Sequence, residues 1–85
     1  MAWRIFFARR ALRDLERLDE TTRLLVLARI RAAAADPSSV DLSKLAGRPG
    51  EWRIRVGSWR AIVELDSQSG AMTVTRVLPC RDAYR

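Results

Sequence analysis

The chain contains no histidine and only one cysteine, Cys80, in its 85 residues. An internal disulfide is therefore excluded, and so is a zinc site of the usual Cys/His kind. The missing histidine also removes the commonest general base and every Ser-His or Cys-His pair. Lysine is scarce as well: fifteen of the sixteen basic residues are arginine, and Lys44 is the exception. No apolar run approaches the roughly 20 residues of a membrane-spanning helix. No N-terminal stretch reads as a secretory signal, so the expectation is a reduced, cytoplasmic protein with no membrane contact. No repeat or long linker divides the sequence, and its length suits one small domain, residues 1–85.

What is present is positive charge. The net charge is +6, with a pI near 11.2. Residues 1–43 hold eight basic and six acidic groups, and residues 44–85 hold eight and four, so the excess rises from +2 to +4. The guanidinium is a planar fork that suits phosphate and carboxylate. A surface of this kind attracts polyanions, nucleic acid first, acidic protein second and membrane headgroups third.

The periodicity changes along the chain. Residues 2–7, AWRIFF, alternate with Trp3, Ile5 and Phe7 on one face, and predict a strand. From Ala8 the spacing becomes helical, with Ala8, Leu12, Leu15 and Leu18 apolar and Arg9, Arg10, Arg13, Asp14, Glu16 and Arg17 opposite. A second helix is expected from about Thr21, with Leu24, Leu27, Ile30 and Ala34 inward, stopping before Asp36-Pro37. Three strands follow, EWRIRV (51–56), WRAIVELD (59–66) and AMTVTRVL (71–78), and then a short polar tail, 79–85. The order β-α-α-β-β-β predicts an α+β fold, an antiparallel sheet covered on one face by a helix hairpin.

Gly57-Ser58 reads as a two-residue loop with glycine first, which suits a type II′ turn. The register then pairs Val56 with Trp59, Arg55 with Arg60, Ile54 with Ala61 and Arg53 with Ile62. Alternation puts Trp52, Ile54, Val56, Trp59, Ala61 and Val63 on one face and Arg53, Arg55 and Arg60 on the other. Opposed like charges destabilise a strand pair by up to about 1 kcal/mol. Glutamate at one of these positions would be as soluble without the repulsion. Three guanidiniums on one face point to a polyanion seat.

The run KLAGRPGEWRIRVGSWRAIVELD (44–66), with RDAYR (81–85) and the N-terminal RRALRDLERLDETTR, resembles the RelE/ParE superfamily of bacterial type II toxins, most closely its RelE branch. That resemblance implies the RelE-like fold and a metal-independent, cofactor-free endoribonuclease that cuts mRNA in the ribosomal A site. It also implies a cognate antitoxin bound in a heteromeric complex. Arg53, Arg55, Arg60, Arg81 and Tyr84 match the positions it implies for catalysis. Of these, Arg60 would clamp the scissile phosphate, Arg81 would stabilise the leaving group, and Tyr84 would stack on a base or approach the 2′-hydroxyl. Lys44, Arg48, Arg76 and Arg85 are the further positions expected to touch RNA. Many relatives carry lysine where this chain has Arg53 and Arg55, and arginine stays protonated, so no general base is assigned.

Other residues fit simpler roles. Trp3, Trp52 and Trp59 belong to apolar faces and are expected in the core. Glu64, opposite Glu51, is expected to be solvated or salt-bridged, and Cys80 an incidental thiol. Two other readings remain open beside the ribonuclease, a ParE-like inhibitor that binds DNA gyrase and a weakened toxin that keeps antitoxin binding.

Overall fold

The computed structural model describes residues 2–36, 42–44 and 50–83. Asp19 starts the longest element: its carboxylate accepts from the Thr22 N–H at 3.2 Å and the Thr22 hydroxyl at 2.6 Å. This N-cap places the helix start at Glu20, one residue before the expected Thr21. The elements are β1 (Arg4–Phe7), α1 (Arg9–Glu16), α2 (Glu20–Ala35), β2 (Leu42–Lys44), β3 (Glu51–Val56), β4 (Trp59–Asp66), β5 (Ala71–Pro79) and α3 (Cys80–Ala83). The described strands form one sheet in the order β1-β5-β4-β3-β2. No helix among the described residues is long and apolar enough to cross a membrane.

Three features depart from the sequence expectation. The sheet is mixed, because β1 runs parallel to β5 while the other pairs are antiparallel. The reason is where α2 ends. Its Ala34 carbonyl accepts from the Trp3 N–H at 2.8 Å, so the chain returns to the end where β1 began. The reversals from β3 to β4 and from β4 to β5 then bring β5 back to the direction of β1. The second departure is β2, which has only three residues and pairs with β3. The third is α3, which occupies part of the expected polar tail.

The helices also turn different faces inward. On α1, Ala11, Asp14 and Leu15 are buried, as is Leu18 just beyond it, while Leu12 is 47% exposed. On α2, Val26, Ile30, Ala33 and Ala34 are buried, while Leu24 and Leu25 are exposed. The small Ala33 and Ala34 let the helix end approach β1 closely enough for the Trp3 bond. The α1 helix lies against β5, and α2 spans β1, β3 and β4. Arg23 of α2 donates to the Leu18 carbonyl at 3.2 Å, which satisfies an acceptor just beyond the end of α1.

The core forms between these helices and Ile54, Val56, Ala61, Val63, Met72, Val74 and Val77 of the sheet, with Trp3, Trp52 and Trp59 packed against it. Val74 and Val77 share that core although strict alternation would separate them. A bulge explains it: Val63 pairs with Val74 but Ile62 pairs with Arg76, leaving Thr75 extra. The Thr75 hydroxyl donates to the Ile62 carbonyl at 3.2 Å.

Candidate functional site

The β3–β4 hairpin has the register that its turn implies, with Arg55 opposite Arg60 and Arg53 opposite Ile62. Gly57 adopts φ +59°, and no described non-glycine residue has positive φ, which fits a II′ turn rather than I′. The two opposed arginines sit in different environments. Arg55 is exposed, whereas Arg60 is only 6% exposed. One terminal nitrogen of Arg60 donates to the Gly57 carbonyl at 2.9 Å and to the Trp59 carbonyl at 2.7 Å. Carbonyl dipoles thus stabilise the buried charge and offset the repulsion of Arg55. Arg53 is half-buried, with its Nε sequestered from solvent.

The same turn receives the end of the chain. The Cys80 N–H donates to the Ser58 carbonyl at 2.7 Å, which ties the start of α3 to the hairpin. Three consecutive carbonyls, those of Gly57, Ser58 and Trp59, are therefore engaged by Arg60 and Cys80. Arg81 follows on α3 and is exposed. Arg55, Arg60 and Arg81 are in this way gathered at one end of the molecule. Lys44 stands in β2 opposite Trp52, on the far side of β3. Arg48, Tyr84 and Arg85 lie outside the described residues.

Arg76 stands apart from this group. Its Nε donates to Asp14 at 2.8 Å and its second terminal nitrogen at 3.2 Å, a bidentate pair joining β5 to α1. Asp14 also accepts from the Val77 N–H at 2.8 Å. Burial alone would raise the Asp14 carboxyl, but the Arg76 and Val77 hydrogen bonds and the charges of Arg76 and Arg17 together hold it below the usual carboxylate range. Asp14 was expected on the solvent face of its helix and is instead 8% exposed. One signal in the sequence points to it: Asp14 falls on the stripe of Ala11, Leu15 and Leu18, where a lone carboxylate needs a buried partner.

A family model described as the ParE toxin of the type II toxin-antitoxin system, parDE, matches residues 5–84. The chain belongs to this toxin family. Solved structures of similar fold include the RelB-RelE antitoxin-toxin complex of Methanococcus jannaschii, at 23% identity and a TM-score of 0.77, covering 93% of this chain and 94% of that one. The archaeal RelE-RelB complex of Pyrococcus horikoshii OT3 follows at 19% identity and a TM-score of 0.79, covering 94% and 97%. The intact E. coli RelBE toxin-antitoxin complex gives 22% identity and a TM-score of 0.79, covering 92% and 96%. At these identities the likeness is one of fold. No curated protein sequence matches the chain.

Proposed function

We propose that this toxin is a ribosome-dependent mRNA endoribonuclease of the RelE kind, working without metal and silenced by a cognate antitoxin. The observation that carries this reading is the convergence of Arg55, Arg60 and Arg81 on one hairpin end, held there by the bond from Cys80 to Ser58. In the reaction, the ribose 2′-oxygen attacks the adjacent phosphorus and the bond to the 5′-oxygen breaks. One proton leaves the 2′-hydroxyl and one reaches the departing 5′-oxygen, which gives a 2′,3′-cyclic phosphate and a 5′-hydroxyl.

Negative charge grows on the phosphorane-like transition state, and preorganised guanidiniums are suited to stabilise it. Arg55 supplies an exposed cation for the RNA backbone. Arg60, braced against the turn, would supply a cation that needs no reorganisation, and Arg81 would serve the leaving oxygen. Arginine does not accept the proton, so the base comes from outside this set.

The antitoxin reading rests on charge and on the complexes formed by the similar folds. An acidic segment that folds on the arginine end would cover the site and neutralise it. A second reading, inhibition of DNA gyrase by binding, is favoured by the ParE description of the matching family. The chemistry of the cut ends tests the first. Fragments bearing 2′,3′-cyclic phosphate and 5′-hydroxyl termini support it, whereas intact message alongside blocked gyrase supercoiling supports the second.

A further inference from the structure

A second concentration of arginine lies away from the hairpin, between α1 and β5. Arg10, Arg13, Asp14, Arg17 and Arg76 line a cleft of about 190 Å³. Four arginines and one aspartate give the lining a formal charge of +3. Asp14 is already occupied by Arg76 and the Val77 N–H, so the inner arginine is the one it neutralises. The side chains of Arg10, Arg13 and Arg17 are exposed and make no hydrogen bond or ion pair with the described residues, although the Arg17 charge acts on Asp14 from a distance.

Arg13 lies three residues after Arg10 and four before Arg17, spacings at which helix side chains are neighbours and like charges repel. Asp14, which the Arg17 charge helps to keep ionised, offsets only part of this repulsion, since its hydrogen bonds go to Arg76 and Val77. The composition of the lining indicates the ligand. It offers no apolar or aromatic side chain, so it has neither the anchor a protein partner needs nor a platform for stacking bases. What it offers is a row of forked cations about 10 Å long from Arg10 to Arg17. A row of that kind suits successive phosphates of a polymer better than one small anion.

We propose that the α1–β5 cleft is a seat for the phosphodiester backbone of nucleic acid, separate from the hairpin arginines and blind to base sequence. It does not depend on whether the toxin cuts RNA. The cleft borders β5 just before Pro79 and α3, so a strand held there is delivered to the hairpin end of the molecule.

The test is fluorescence anisotropy with the full chain, using a labelled unstructured RNA and a DNA of the same sequence across a salt series. Each phosphate contact contributes about 0.7 to the slope of log K against log salt for single strands, so Arg10→Gln/Arg13→Gln/Arg17→Gln should lower the slope by about 2 for RNA and DNA alike. The melting temperature of this variant should change little, because the repulsions removed offset the lost attraction of Arg17 for Asp14. A charge-matched control, Arg9→Gln/Arg29→Gln/Arg31→Gln, should leave the slope largely unchanged. An equal fall in the control would overturn the proposal in favour of net charge alone. Undiminished nucleic-acid binding by the cleft variant, with lost binding to polyglutamate, would overturn it in favour of an acidic protein partner.

Discussion

The Cys80 N–H and the Ser58 carbonyl meet at 2.7 Å and join the last helix to the turn of the β3–β4 hairpin. Through this one bond the position of Arg81 depends on a turn more than twenty residues earlier in the chain. Arg60 occupies the carbonyls on either side, so turn, buried cation and C-terminal helix form one unit.

Replacing Cys80 with proline tests that unit. Proline suits the first position of a helix but has no N–H to donate. Cys80→Pro should leave the core intact, within about 1 kcal/mol in denaturant titration. Activity should fall sharply in the same protein, because α3 is no longer held to the turn. Full activity with the bond removed would mean that Arg81 needs no tether.

Arg55 and Arg60 should separate in their effects on stability. Arg60→Ala leaves the Gly57 and Trp59 carbonyls without their donor and empties a buried position, at a cost of about 1–2 kcal/mol. Arg55→Ala removes an exposed side chain, so stability should change by no more than about 0.5 kcal/mol. Thermal melts of the two variants check this, with both expected to lose message cleavage.

Asp14 gives the fold an acid-sensitive clasp. Its carboxyl is depressed in the folded state, so the stability it contributes is present above the ordinary aspartate value of about 3.9 and is lost as pH falls through the folded value. Asp14→Asn should cost about 2 kcal/mol at neutral pH, since it leaves Arg76 without its counter-charge. The gap between wild type and variant should narrow as pH drops below about 4. Asp19, lowered by its Thr22 hydrogen bonds, titrates in both proteins and cancels in the comparison. A gap that stays constant down to pH 2 would contradict the assignment.

Some of this was legible in the sequence because local chemistry determined it. Gly57-Ser58 fixes the hairpin length, and strand alternation then decides every face in β3 and β4. The tryptophans fall on the core side for the same reason. Helix faces were harder to read. Helical spacing puts Leu24 inward, but it is exposed, because the approach of Ala33 and Ala34 to β1 sets the rotation of α2. The parallel pairing of β1 with β5 depends on where α2 ends, which no short window records. At the site, alternation places Arg53, Arg55 and Arg60 together, yet the burial of Arg60 comes from turn carbonyls that only the folded backbone presents. The tether from Cys80 and the clasp from Asp14 are long-range bonds without a local signature.

The most direct measurement of the central claim is cleavage of a translated message. Purified toxin would be added to a reconstituted translation system stalled at a defined codon, with new 5′ ends mapped for wild type, Arg55→Ala and Cys80→Pro. Cuts within the A-site codon that depend on translation and disappear in both variants are the predicted result. Intact message with the wild-type protein, while the toxin still arrests growth of cells, would contradict the account and turn attention to gyrase.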